Sequence, residues 1–169
     1  MPSLSAPCGK TDAAMDQTEA LKDHLLELLD SRSAHIDIES ALDGFPLDRI
    51  NDLIPGSPHT PWQLLEHIRL AQWDILDFTV NADYKEVAFP DDYWPTGEGS
   101  EADWTTSVKQ VLADLERMRE LVRDPEANPF KKIEHGNGQT LLREAMLVAD
   151  HNAYHLGQLM LLRRIFENS

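Results

Sequence analysis

Four long segments of the chain carry apolar residues at the three- and four-residue spacing of an amphipathic helix. The first segment begins near Met15 and continues until Gly44 and Pro46 end the pattern. We expect one helix here, with a bend near Ser31 to Ser33. Its apolar positions are Leu21, Leu25, Leu28, Leu29, Ile36 and Leu42.

The second helix has a clear start signal in residues 60–63, which read TPWQ. A threonine N-cap, a proline at the first helical position and a glutamine three residues after the cap form a capping box. The apolar pattern that follows predicts a helix to about Val80. His67 lies on the inward side of this helix, because it is three residues from Leu64 and four from Ala71.

Two further helices are predicted in the second half of the chain. Ser100, with Asp103 three residues later, marks a helix start, and the apolar pattern carries this helix to about Arg123. The last helix is expected from residue 139 or 140 to about residue 166. No segment alternates apolar and polar residues as a strand does. Four amphipathic helices that cannot bury their apolar faces alone predict an all-α protein, a four-helix bundle.

Two long connections join these helices. Residues 45–59 contain three prolines and predict a crossing loop. Residues 81–99 form a second long loop that contains Tyr93 and Trp94. Loops of this length often cover a binding site, so these two aromatic residues are candidates to cover one. The remaining tryptophans are expected to pack in the core or at an interface: Trp62, Trp73 and Trp104.

The length of 169 residues predicts one domain, residues 13–169, after a flexible leader of residues 1–12. Thirty acidic and fifteen basic residues give a net charge of −15. This charge repels nucleic acid and anionic membrane surfaces and disfavours both as partners. The single cysteine, Cys8, excludes an intramolecular disulfide. Because the sequence shows no signal peptide and no apolar run that could cross a membrane, we expect a cytoplasmic protein.

Two of the seven histidines, His151 and His155, are four residues apart in the last predicted helix. This spacing places both side chains on one face, as two ligands of a single metal ion require. The same face carries the apolar positions of the bundle interior, where an unpaired imidazole is costly. Taken alone, the pair is equally compatible with imidazoles that bond to buried carboxylates or carbonyls.

A third inward histidine, His67, favours metal binding over hydrogen bonding to buried carboxylates or carbonyls. Catalytic zinc sites commonly have three protein ligands and an open position, whereas structural zinc sites are usually closed by four ligands. We therefore predict that His67, His151 and His155 bind one metal ion. The sequence assigns no catalytic acid or base. The other four histidines are predicted to lie on outer faces or in loops: His24, His35, His59 and His135.

Other classes of site do not fit the sequence. Metalloproteases of the H-E-x-x-H type need a glutamate directly after the first histidine, and His151 is followed by Asn152. Di-iron bundles need Glu-x-x-His pairs, and the sequence has none. Nucleotide binding has no support either, because the sequence lacks a glycine-rich phosphate loop.

Carboxylates near the predicted ligands are candidates for a supporting role. Asp74 and Glu144 are candidates to accept a hydrogen bond from the outer N–H of a ligating imidazole. At a net charge of −15, the alternative for these carboxylates is that they are solvated or pair with other side chains of their helix. Asp74 lies seven residues after His67 and therefore on the same helix face. Glu66 and Asp150 adjoin predicted ligands, but we expect them to point aside.

Three tracts of the sequence resemble the DinB-like superfamily of damage-inducible proteins. They are TPWQLLEHIRLAQWDILDF, then YWP at residues 93–95, and GQTLLREAMLVADHNAYHLGQLMLLRR. The resemblance extends from about Leu21 to Phe166 and implies a four-helix bundle with up-down-down-up connections, usually in a homodimer. It also implies that a divalent metal ion such as nickel or zinc binds the three histidines. These are His67, His151 and His155.

The resemblance also implies a class of activity. Characterised relatives include bacterial thiol-dependent S-transferases and a mycothiol-dependent maleylpyruvate isomerase. An enzyme of this kind uses a low-molecular-weight thiol and a small-molecule substrate, and a divalent cation lowers the pKa of the thiol or of water. Two alternatives stay open: a metal-dependent hydrolase that needs no thiol, and a non-enzymatic metal-binding protein of the stress response.

Overall fold

The computed structural model describes residues 10–31 and 33–168. Two short 3-10 turns lie in the connections between its helices, at Leu47–Arg49 and Asp91–Tyr93. The described residues contain no strand and only one isolated bridge, so the all-α prediction is confirmed. The five helices are α1 (Lys10–Asp30), α2 (Ile38–Leu42), α3 (Pro61–Val80), α4 (Glu101–Arg123) and α5 (Leu141–Glu167).

Capping geometry confirms the predicted starts of the three later long helices. The Thr60 side chain accepts a hydrogen bond from the backbone N–H of Gln63, and the Gln63 side chain accepts one from the N–H of Thr60. Ser100 and Asp103 form the same reciprocal pair at the start of α4. The Thr140 side chain caps α5. These bonds satisfy backbone donors that the first turn of a helix leaves free.

The first helix differs from the prediction. Instead of one bent helix, α1 ends at Asp30 and the short α2 begins at Ile38. Ser31 has a φ of 59°, in the left-handed region where helices commonly end. Asp37 then caps α2, because its carboxylate accepts a hydrogen bond from the N–H of Ser40 at 2.9 Å. The apolar period runs across the break because both helices pack on the same core.

The start of α1 bears on the predicted leader. This helix begins at Lys10, inside the segment 1–12 that the composition assigns to a flexible leader. Residues 1–9 lie outside the described residues, and the division at residue 13 stays a prediction. Among the described residues, no helix combines the length and the apolar character that a membrane span needs.

Polar contacts show that α3 and α4 run parallel. Glu66 accepts a hydrogen bond from Ser107, and further along both helices Gln72 donates to the backbone carbonyl of Val111 at 2.6 Å. The apolar residues of all four long helices fill the space between them. Members of this core include Leu25, Leu29, Leu64, Leu65, Ile68, Leu115, Met118, Val148, Leu156, Leu159 and Leu162.

The other two long helices run in the opposite direction. Lys22 of α1 donates to the carbonyl of Asp124 after the end of α4, while Asp30 pairs with Arg119 at 2.8 Å, so α1 and α4 are antiparallel. α3 and α5 are also antiparallel, because the first turn of α3 faces the last turns of α5. These directions are compatible with the up-down-down-up order that the resemblance implies.

The end of the long loop before α4 is tied to the start of α3. The indole N–H of Trp62 donates to the carbonyl of Gly97 at 3.0 Å. Asn51 bonds to both the N–H and the carbonyl of Gly99, at 3.0 and 2.9 Å. The Trp62 ring approaches Gly99 so closely that a Cβ there would lie 2.3 Å from a ring atom. Glycine at position 99 therefore lets the loop pack against α3.

We predict that Gly99→Ala lowers the free energy of unfolding by roughly 1–3 kcal/mol, the usual cost of overpacking a filled site. Gly97→Ala is the matched control, because a Cβ at Gly97 meets nothing within 4 Å. Urea unfolding followed by far-UV circular dichroism measures both variants beside the wild type. Equal stability of the two variants would contradict the close packing of Trp62 on residue 99.

Candidate metal centre

Three histidine side chains meet between α3 and α5. His67 projects from α3, and His151 and His155 project from successive turns of α5. Their ring centroids are 4.6 to 4.9 Å apart, and one ligand nitrogen from each ring lies within 4.8 Å of the others. The Nε2 atoms of His67 and His151 are 3.1 Å apart. The structure thus brings together all three predicted ligands.

This spacing fits a shared divalent ion. Two nitrogens that bind one zinc ion at about 2.0–2.1 Å in tetrahedral geometry lie about 3.3 Å from each other. The Nε2 separation of 3.1 Å differs from that value by only a few tenths of an ångström. Three imidazoles in this arrangement could hold a divalent metal ion and leave a coordination position for another molecule.

Hydrogen-bond acceptors hold the outer nitrogens of two of the rings. The Nδ1 of His67 lies 2.8 Å from the backbone carbonyl oxygen of Tyr93, and the Nδ1 of His155 lies 2.7 Å from Oε1 of Gln158. Because a carbonyl oxygen only accepts, we assign the proton of each neutral ring to Nδ1 and its lone pair to Nε2. This tautomer is the one a ligating imidazole needs at Nε2.

His151 lacks such a partner. Its Nδ1 is buried and has no hydrogen-bond partner among the described residues. Burial, together with the neighbouring His155 and His67, lowers the pKa of His151 to about 4. Burial also lowers the pKa of His67 and of His155. These shifts favour neutral rings near pH 7, which is the state in which imidazole binds a metal ion.

Trp94 covers the cluster from the side of the long loop. Its indole ring stacks on His67 with the centroids 3.9 Å apart and the planes 2° apart. The adjacent Tyr93 supplies the carbonyl that holds the same histidine. The two loop aromatics that the sequence marked as candidate covers therefore both contact the cluster, one through its ring and one through its backbone. Their packing keeps water away from one face of His67.

Neither of the two candidate carboxylates, Asp74 and Glu144, accepts a hydrogen bond from a histidine of the cluster. Asp74 accepts hydrogen bonds from the hydroxyls of Tyr84 at 2.8 Å and Tyr93 at 2.6 Å, and buried Glu144 pairs with the arginine that precedes it. Two turns of helix, about 10.5 Å, separate each carboxylate from the nearest histidine along its own helix. Asp74 instead holds Tyr93, whose carbonyl holds His67.

Sequence reasoning missed His59 and Gln158. The ring of His59 stacks on Trp94 with the centroids 3.8 Å apart, so Trp94 contacts two histidines. His59 lies in the loop before the Thr60 N-cap of α3, so no helical spacing in the sequence relates it to His67. Gln158 follows His155 by three residues, which places it one turn along the same face.

The other neighbours are where the sequence analysis predicted them. Glu66 points aside, because it accepts hydrogen bonds from Arg69 and Ser107. Asp150 is exposed. The three remaining histidines are also exposed: His24, His35 and His135.

We predict that the metal-free protein loses stability as the pH falls from 6.5 to about 4. In this window the unfolded chain protonates His151 while the folded chain does not, so acid favours unfolding. One such proton contributes at most about 1.4 kcal/mol per pH unit. Urea unfolding of chelator-treated protein at several pH values measures this slope.

The control separates His151 from the carboxylates that titrate in the same range. His151→Asn reduces the slope in this window, and His35→Asn is the matched histidine replacement at an exposed position. An equal slope in the wild type and in His151→Asn would show that His151 takes up its proton in the folded state as readily as in the unfolded chain.

One of three comparisons with known proteins found a match, and it agrees with the helical fold. The profile of the DinB superfamily matches residues 14–159, a range that contains all three clustered histidines. A search of the curated proteins and a search of the solved structures gave no match. Because the family profile matches most of the length of this chain, the chain belongs to the DinB superfamily.

Proposed function

We propose that this protein is a metal-dependent enzyme that joins a low-molecular-weight thiol to a small electrophile. His67, His151 and His155 would bind the ion, and zinc and nickel are the candidates that the family suggests. The observation that carries this proposal is the convergence of three imidazoles, two of them with Nε2 atoms 3.1 Å apart. Membership of the DinB superfamily supports it, because characterised relatives include thiol-dependent S-transferases.

The residues around the cluster have two roles: some orient the imidazole rings, and one excludes water from them. The Tyr93 carbonyl and the Gln158 side chain hold the outer nitrogens of two rings, so the lone pairs point into the cluster. Trp94 packs on one face of His67 and excludes water there. A divalent ion bound at this place lowers the pKa of a thiol or of water, which supplies a nucleophile at neutral pH.

In the proposed reaction, the thiol sulfur forms a bond to an electrophilic carbon. In a substitution, a leaving group departs with its bonding electrons, and the thiol proton passes to water or to that group. In an addition, the substrate takes up the proton that the thiol loses. Low-molecular-weight thiols are abundant in reducing compartments, which agrees with the cytoplasmic location expected from the sequence. The net charge of −15 favours an electrophile without negative charge.

We predict that tag-free protein purified from cells carries about one zinc or nickel ion per chain, and that His67→Ala carries at most about a tenth of that amount. Helix content should not change, because alanine has a higher helix propensity than histidine and the apolar core between the helices is left in place. Elemental analysis and far-UV circular dichroism measure the two properties. His35→Ala is the matched control, since His35 is exposed and far along the chain from the cluster.

The same preparations test the reaction. Metal-loaded wild type should consume bacillithiol, mycothiol or glutathione in the presence of an electrophile, and His67→Ala should not. Turnover that needs no thiol would favour a hydrolase. Full metal content with no turnover, and a large gain in melting temperature on metal binding, would favour a non-enzymatic stress-response protein. Metal retained by His67→Ala would refute the ligand assignment.

We also propose that the protein is a homodimer. α3 and α5 each expose a large aromatic side chain, with Trp73 43% and Tyr154 66% exposed. Exposed aromatic side chains of this size are enriched where two chains meet. Sedimentation equilibrium should give twice the chain mass of 19.2 kDa. A single-chain mass at micromolar concentration would contradict the proposal.

A further inference from the structure

An apolar cleft opens beside the histidine cluster, between residues 54–59 and the second half of α5. Its volume is about 280 Å³. Leu161 and Ile165 on its walls are 60% and 38% exposed, so the cleft offers aliphatic surface to a bound molecule. The apolar walls are formed by Ile54, Leu64, Leu161, Leu162 and Ile165.

Two polar side chains connect this cleft to the cluster. Gln158 lines the cleft, and its Oε1 accepts a hydrogen bond from His155. Its amide nitrogen has no hydrogen-bond partner among the described residues and can donate to a bound molecule. His59 also lines the cleft and stacks on Trp94, which in turn stacks on His67. A molecule in the cleft therefore lies one side chain away from the cluster.

The charge of the cleft differs from that of a second cavity. That cavity, of about 430 Å³, lies on the opposite side of the cluster and is lined by four charged side chains. The cleft is lined, within the described part of the chain, by no lysine, arginine, aspartate or glutamate. A charged molecule would lose hydration there without gaining a counter-ion. The charged residues of the second cavity are Asp74, Glu86, Arg143 and Glu144.

We propose that the cleft binds the electrophile of the reaction proposed above, and that this electrophile is a small, uncharged, mainly apolar molecule with a carbonyl oxygen. The Gln158 amide donates a hydrogen bond to that oxygen, and the aliphatic walls of the cleft pack against the apolar part of the molecule. A cleft of 280 Å³ is close to the lower limit for ligand pockets and suits a single ring or a short chain. That the bound molecule is a substrate rests on the proposed function. Its binding in the cleft needs no metal ion.

The test uses acetophenone, an unreactive ring with one carbonyl, and follows methyl resonances by NMR in metal-free and zinc-loaded protein. We expect saturable shifts at the methyl groups of Ile54, Leu161, Leu162 and Ile165. Benzoate and benzylammonium, which keep the ring but add a charge, should bind about tenfold more weakly or worse. Gln158→Glu, which keeps an oxygen for His155 but loses the amide donor, should weaken acetophenone binding by a similar factor.

Leu161→Trp is designed to block the cleft. Leu161 lies on the wall of the cleft and is 60% exposed, so the larger ring can occupy the cleft without replacing a buried core side chain. It should raise the dissociation constant of acetophenone about tenfold or more, whereas Val87→Trp, on the wall of the second cavity, should leave it within about twofold. Shifts that cluster at Val87, equal binding of benzoate, an unchanged constant in Leu161→Trp, or no saturable binding would each overturn the inference.

Elemental analysis of the same samples separates this inference from the proposed function. Zinc binding without acetophenone binding overturns the cleft proposal and leaves the metal site standing. Acetophenone binding at the cleft in a protein that takes up no metal supports the cleft as a ligand site and overturns the metal-dependent reaction.

Discussion

A buried chain of hydrogen bonds across three helices sets the register on which the histidine cluster depends. Gln72 of α3 donates to the carbonyl of Val111 in α4 at 2.6 Å and accepts from the Asn152 amide of α5 at 2.7 Å. Leaving such a buried amide unpaired costs roughly 1–3 kcal/mol, so a slip of either neighbour along α3 is strongly disfavoured. Because Asn152 directly follows His151, the same bonds set the level at which α5 presents its histidines to His67.

A second constraint comes from the loop between α3 and α4. Asp74 binds the hydroxyls of Tyr84 and Tyr93, which anchors the loop at two points. Burial and the Asp74 carboxylate raise the pKa of Tyr84 to about 12 and raise that of Tyr93 as well, so both hydroxyls remain donors at neutral pH. The anchored loop then places the Tyr93 carbonyl against His67 and the ring of Trp94 over it. The orientation of the His67 imidazole thus depends on a carboxylate that makes no contact with it.

The cluster lies between two cavities of unlike chemistry. The cavity that Asp74 and Glu144 help to line carries charges, and the cleft beside Gln158 carries aliphatic side chains. A site that joins a polar thiol to an apolar electrophile needs surfaces of both kinds near one reactive centre. In the reaction proposed above, the three-histidine cluster between the two surfaces would be that centre.

The sequence by itself determined the starts of the later helices and the placement of His151 and His155 on one helix face, because capping residues and the H-x-x-x-H spacing are local features that a single helix satisfies alone. It predicted a bend near Ser31 rather than the break that follows Asp30, since the apolar period continues across the break while the left-handed Ser31 ends the helix. Only the tertiary structure decided the partners of Asp74 and His59, which both contact residues of the loop between α3 and α4. The path of that loop, and the register of α3 against α5 that brings His67 to the other two histidines, follow from packing between residues far apart in the chain.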